Sequence, residues 1–192
     1  MKLLVDRIQE TPSRYDFEAE PAFWSALQAA VPEVSRVRAD EFRVDMHVYR
    51  SGSELFLSGT IHGALELECG RCLARYRAAL HEPFRLVLEP AGDRVPAEPE
   101  SAAALERDGL CLLDELETGW FRGKEIELGP YFIELVQLAV PVQPLCREDC
   151  RGLCPRCGVD RNQETCHCEA QSPSSPFAVL SALRGAKSEG ES

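Results

Sequence analysis

Six of the nine cysteines fall in one short stretch. It reads Cys146-Arg-Glu-Asp-Cys150-Arg-Gly-Leu-Cys154-Pro-Arg-Cys157-Gly158, then Cys166-His-Cys168. Tetrahedral Zn²⁺ takes four soft donors, most often as two close pairs that approach the ion from opposite sides. Cys154-Pro-Arg-Cys157-Gly158 has the form of a zinc knuckle. The proline stiffens the turn, and Gly158 lets backbone amides swing toward the sulfur atoms, where they offset excess thiolate charge. Cys166 and Cys168 supply the next pair, so Cys154, Cys157, Cys166 and Cys168 are the first-choice ligand set for a structural Zn²⁺. Cys146 and Cys150 are alternates. They replace the 166/168 pair, or combine with Cys69 and Cys72 in a second site.

Cys69-Gly70-Arg71-Cys72 admits three readings: a structural pair in a strand loop, half of a metal site, or a thiol redox pair. A redox Cys-x-x-Cys sits at a helix N-terminus, which depresses a thiol pKa, whereas here both flanks read as strands. Cys111, inside Leu110–Leu113, reads as a small buried hydrophobe. His167, between two cysteines, is a possible ligand but reads better as solvent-facing. His47, His62 and His81 read as ordinary sheet residues without nearby partners. No phosphate-binding glycine loop, Ser/His/Asp spacing or His-Glu-x-x-His helix announces itself, so no catalytic residue is assigned.

These residues need elements to hold them. Phe42, Val44, Met46 and Val48 alternate with mostly polar neighbours. Arg50-Ser51-Gly52-Ser53 supplies a turn, and Leu55, Leu57, Ile61, Leu65 and Leu67 continue the two-residue period. Beyond Cys72 the pattern resumes through Tyr76, Ala78 and Leu80, then Phe84, Leu86 and Leu88. Such alternation predicts an antiparallel sheet with one buried face, and places the first Cys-x-x-Cys in a loop between two strands. Pro83 predicts an edge or a bend. Short strands are expected near Leu3–Ile8 and Lys124–Leu128. Helices are expected over Pro21–Ala30, from Gly129-Pro130 to Val140, and over Phe177–Leu183.

The fold class is therefore α+β: an antiparallel sheet of about five strands, two or three packed helices, and a C-terminal cysteine-rich zinc module. Its parts are a core domain over 1–145, in which 90–109 is a mobile acidic loop, and a zinc-binding segment over 146–170. A spacer and helix over 171–184 and a disordered tail over 185–192 follow.

With 44% hydrophobic residues, the chain can bury a core. It has no apolar run long enough for a membrane span and no apolar core of a signal peptide near its first residues. A cytoplasmic setting follows, where thiols stay reduced and paired cysteines point to metal. The net charge is −11. Residues 91–120 hold eight acidic and two basic residues, so over half of that charge is concentrated there. The chain as a whole repels nucleic acid, which leaves room for a local basic patch.

Three segments together resemble the YceD family: Leu67-Glu68-Cys69-Gly70-Arg71-Cys72-Leu73, Asp149-Cys150-Arg151-Gly152-Leu153-Cys154-Pro155-Arg156-Cys157-Gly158, and Pro176-Phe177-Ala178-Val179-Leu180 with Leu183. The resemblance spans most of the chain. It implies a bacterial or plastid protein associated with accumulation of 23S ribosomal RNA, acting without catalysis in large-subunit assembly. Some family members lack the C-terminal cysteine cluster, which implies that the zinc segment reinforces the scaffold. The partner is then large-subunit rRNA or an early large-subunit ribosomal protein, with no membrane and no small-molecule substrate. Arg71, Arg75 and Arg77 bracket the strand loop and are the candidate RNA contacts; a solvated sheet face is the plainer reading. An acidic body equally suits a basic ribosomal protein. The competing functions are a zinc-ribbon adaptor outside the ribosome and a thiol redox protein using Cys69 and Cys72.

Overall fold

A computed structural model describes residues 1–17, 19–32, 34–37, 42–113 and 117–168. It divides into two compact units, Met1–Gly152 and Leu153–Ser192. The expected helix over Phe177–Leu183 and the tail over 185–192 lie outside the described residues.

In the first unit, β1 (Lys2–Leu4) leads into a single 3-10 turn over Val5–Arg7, shorter than the strand expected to reach Ile8. Then come β2 (Ser13–Phe17), α1 (Pro21–Ala30), β3 (Val34–Val37), β4 (Arg43–Ser51), β5 (Glu54–Glu68) and β6 (Arg75–Pro90). The second half adds α2 (Pro99–Asp108), β7 (Leu110–Leu112), β8 (Thr118–Phe121), β9 (Glu125–Glu127) and α3 (Gly129–Ala139). The architecture is α+β, with more strands than the five or so expected. Six run in the order β2-β4-β5-β6-β8-β7, and β3 pairs with β5 to make a seven-stranded sheet, while β1 and β9 form a separate two-stranded one. Pairing is antiparallel except between β6 and β8. That parallel pair needs a crossover, and α2 with β7 supplies it.

The alternation in the sequence is what builds the central sheet. Val44, Met46 and Val48 of β4 face inward with Leu55, Leu57, Ile61, Leu65 and Leu67 of β5, and with Leu80, Phe84, Leu86 and Leu88 of β6. Phe23 and Leu27 of α1 and Phe132, Leu135 and Val136 of α3 close the same core. Each such side chain taken out of water contributes roughly 1.5–3 kcal/mol. Pro21 is the first residue of α1 and Pro130 the second of α3, positions where a missing amide costs nothing.

Pro83 does not interrupt β6. It pairs with Thr60 on one side, and β8 joins the other side only from Val87 onward. Its missing N–H therefore sits beside an edge without a strand partner among the described residues, where proline is tolerated.

The segment expected to be a mobile acidic loop over 90–109 contains α2 instead. Pro99 opens it and Gly109, at φ +68°, caps it in the left-handed region. Leu105 is its only large apolar residue, so no hydrophobic period marks it in the sequence. Alanine's helix propensity and the burial of Leu105 against Ala91 and Cys111 hold it.

Candidate metal centres

The turn between β5 and β6 carries Cys69 and Cys72. After Cys69 the chain folds back so that the Leu73 amide donates to the Cys69 carbonyl at 2.9 Å, and the Cys69 amide to the Ala74 carbonyl at 3.0 Å. In the second unit the same pair of bonds recurs: the Gly158 amide to the Cys154 carbonyl at 2.9 Å, and the Cys154 amide to the Val159 carbonyl at 2.8 Å. Both Cys-x-x-Cys segments are thus the same knuckle. The residue after the second cysteine is left-handed in each, Gly158 at φ +72° and Leu73 at φ +59°. Glycine takes that conformation without strain, whereas a leucine there costs roughly 1–2 kcal/mol.

Two groups of four cysteines form, and each could hold one metal ion. In the first unit, Cys69 and Cys72 meet Cys146 and Cys150 from the loop after α3, with all four sulfur atoms within 4.8 Å of one another. Cys69 Sγ lies 3.8 Å from Cys150 Sγ, and Cys72 Sγ 3.7 Å from Cys146 Sγ. In the second unit, Cys154, Cys157, Cys166 and Cys168 gather within the same limit, with 3.7 Å between Cys157 and Cys166 and 3.2 Å between Cys154 and Cys166. Four sulfur atoms on a tetrahedron at the usual Zn–S distance stand about 3.8 Å apart. The donor sets fit zinc in type, number and spacing, and the separations are far too long for disulfides.

Burial pushes the Cys69 thiol up, but the backbone amides of Cys146, Cys72 and Arg71 outweigh it and hold the group at about 6. Cys154 is likewise held at about 6 by the amides of Cys157 and Arg156. One thiolate is thus favoured in each group, Cys69 in the first and Cys154 in the second. Burial and the shared contact with Cys72 push Cys146 up to about 12, while Cys166 and Cys157 push Cys168 up to about 12. Such clusters accumulate negative charge that a dication relieves.

The first centre is fastened from two directions. The Gly70 amide donates to the Pro144 carbonyl at 2.8 Å, and Arg71 Nη1 donates to the Cys150 carbonyl at 2.9 Å. Arg71, an expected RNA contact, therefore ties the two halves of a cysteine group together. Arg75 and Arg77 are exposed on one face of β6, directly opposite Glu68 and Glu66 of β5. Cys111 is buried in β7, and burial raises its thiol pKa. His167 is exposed and stands outside the cysteine groups.

The histidines require a correction. His62 and His81 are cross-strand neighbours, with Nδ1 atoms 3.2 Å apart, and His62 Nε2 lies 3.6 Å from Asp45 Oδ2. Strand alternation places residues on a face but not opposite one another, which is why this pair was not visible in the sequence.

No helix among the described residues is long and apolar enough to cross a membrane. No solved structure matches the chain. An uncharacterized protein of Mycobacterium tuberculosis is 32% identical over 124 residues, covering 65% of this chain and 53% of that protein. One of Mycobacterium leprae is 27% identical over 150 residues, covering 74% and 63%. The chloroplastic large ribosomal RNA subunit accumulation protein YCED homolog 1 of Arabidopsis thaliana is 24% identical over 161 residues, covering 74% and 48%. The chain thus spans about half the length of most of these relatives. The family described as "Large ribosomal RNA subunit accumulation protein YceD" matches residues 57–184, a span that takes in both cysteine groups. The chain belongs to the YceD family.

Proposed function

We propose that this protein is a non-enzymatic, cytoplasmic factor that supports accumulation of large-subunit (23S) ribosomal RNA, with two structural zinc ions. Cys69, Cys72, Cys146 and Cys150 hold one ion, and Cys154, Cys157, Cys166 and Cys168 the other. The observation that carries this reading is the pair of cysteine groups inside the matched region. Each repeats one knuckle geometry and supplies four thiols, the full ligand count of a structural zinc site, where a catalytic site would supply three.

A thiol redox role for Cys69 and Cys72 is the weaker reading. A low thiol pKa suits it, but Cys69 is 0% exposed and flanked by Cys150 at 3.8 Å. A disulfide substrate has no path to its sulfur, and thiol exchange requires access.

Contact with large-subunit RNA, or with an early large-subunit protein, completes the proposal. Arg75 and Arg77 are the exposed candidates for RNA, with Arg71 contributing chiefly through the metal centre. Depletion of the protein tests the reading, with small-subunit rRNA as internal control. A selective fall in large-subunit rRNA, restored by the wild-type chain, is expected. Unchanged rRNA refutes the ribosomal role and favours an adaptor that works elsewhere.

A further inference from the structure

The acidic segment that the sequence isolates over 91–120 sets three of its carboxylates, those of Glu98, Glu100 and Asp108, in one place. Together with α3 it lines an open groove of about 820 Å³ between α2, β7 and α3. The groove is apolar at its floor, where Leu110, Leu112 and Tyr131 lie. Five carboxylates surround that floor against the single arginine Arg107. Two are already engaged: Asp108 bridges Arg107 at 2.6 Å, and Glu127 meets the Met1 ammonium at 2.6 Å. Glu98, Glu100 and Glu134 remain, exposed and without an ion-pair partner among the described residues. Leu138 on the α3 side is 63% exposed and Leu113 beside β7 is 40% exposed, although both line the groove.

We propose that this groove docks a cationic protein segment bearing bulky apolar side chains, and, resting on the ribosomal reading above, that the segment belongs to a basic large-subunit ribosomal protein. The apolar floor and the exposed leucines ask for apolar side chains. The three unpaired carboxylates ask for lysine or arginine around them. The same charge excludes the alternatives. An RNA backbone meets only repulsion there, and a second copy of this chain brings a further net charge of −11. The groove wall desolvates the Glu134 carboxyl and raises its pKa, a cost that a bound cation removes.

The test uses the full zinc-loaded chain and a fluorescent 20-residue peptide with lysines on one helical face and leucines on the other. Fluorescence anisotropy at physiological salt reads the affinity. Neutralising Glu98→Gln, Glu100→Gln and Glu134→Gln together should weaken binding about tenfold, the sum of three exposed pairs. Leu138→Ser, at an exposed position that leaves the fold intact, should weaken it by about tenfold more. Neutralising three carboxylates on the outer face of the sheet (Glu54, Glu68 and Glu89 to Gln) should leave affinity within about twofold, because these lie outside the groove.

Equal losses from both triple variants would overturn the proposal, as nonspecific charge attraction. So would competition by a 20-nucleotide single-stranded RNA, or a dimer of this chain that Leu138→Ser dissociates. Unchanged rRNA in depleted cells alongside groove-specific peptide binding removes only the ribosomal identity of the partner. Intact rRNA dependence that the groove triple variant fully restores removes the groove alone.

Discussion

The two cysteine groups differ most in what their loss does to the rest of the protein. Cys69 and Cys150 stand 81 residues apart, so a metal at the first centre cross-links the β5–β6 turn to the chain beyond α3. Treated as a cross-link on the unfolded chain, that closure contributes about 4.5 kcal/mol. The second centre joins Cys154 to Cys166, 12 residues on, which by the same relation contributes about 2.8 kcal/mol and only to its own unit. Cys146 is the cleanest position to perturb, because it is only half-buried and serine replaces it with little packing loss. Zinc-loaded wild type should carry two ions per chain, and Cys146→Ser and Cys157→Ser one each. For a chain of this length, Cys146→Ser should lower the main thermal transition by roughly 9–18 °C. Cys157→Ser should leave that transition within about 2 °C, because its cross-link lies outside the first unit. Metal analysis paired with differential scanning calorimetry reads both effects. A Cys146→Ser protein that holds one ion yet melts with wild type would refute the claim that the first centre closes the fold.

Zinc loading at pH 7 should release at least four protons per chain. Cys72, Cys146, Cys166 and Cys168 all have raised pKa values, so they enter the reaction protonated and leave it as thiolates. The bound state carries fewer protons, so affinity must rise with pH, and calorimetry in buffers of different ionisation enthalpy counts them; fewer than four contradicts the thiol assignments. Arg71→Ala removes the 2.9 Å bond to the Cys150 carbonyl and should weaken zinc retention at the first centre about tenfold, measured by chelator competition. Unchanged retention would return Arg71 to the surface role expected from sequence. Gly109→Ala should destabilise the first unit by more than about 2 kcal/mol in urea denaturation. Its backbone is left-handed, and a Cβ there would collide with the Glu125 carbonyl oxygen.

What the sequence disclosed follows the range of the forces involved. Val44, Met46 and Val48 alternate because one face of β4 is buried, and a period of two needs no partner to be seen. Pro21 and Pro130 mark helix starts for equally local reasons. By contrast, α2 folds around one leucine, and its burial against Ala91 and Cys111 is a tertiary event with no local period. The partition of the cysteines shows the same limit. Spacing identified Cys154, Cys157, Cys166 and Cys168 as one group, since those residues are near in sequence. It left Cys146 and Cys150 free to join either partner, because only the folded sheet brings the β5–β6 turn beside the loop after α3. The knuckle around Cys69 was obscured further by Leu73, which occupies a position where Gly158 advertises the turn.

That partition predicts an order of assembly. Closing the 81-residue loop costs about 1.7 kcal/mol more entropy than closing the 12-residue one, and it brings together elements that must first pair into a sheet. The second centre can therefore fill in a chain whose first unit is still unfolded, and in doing so it withdraws Cys154, Cys157, Cys166 and Cys168 from competition. Cys146 and Cys150 would then be left for Cys69 and Cys72, beside which the bonds from Gly70 to Pro144 and from Arg71 to Cys150 hold them in the folded chain. Six cysteines in one local run would otherwise offer several mixed ligand sets of similar affinity. Zinc titrated into the chain in urea just sufficient to melt the sheet should bind once, and a second time only on refolding. A Cys154→Ser variant should misload, drawing Cys146 or Cys150 into the local site and slowing recovery of the native sheet. Two equal binding events in the unfolded chain would show instead that the fold plays no part in choosing the ligands.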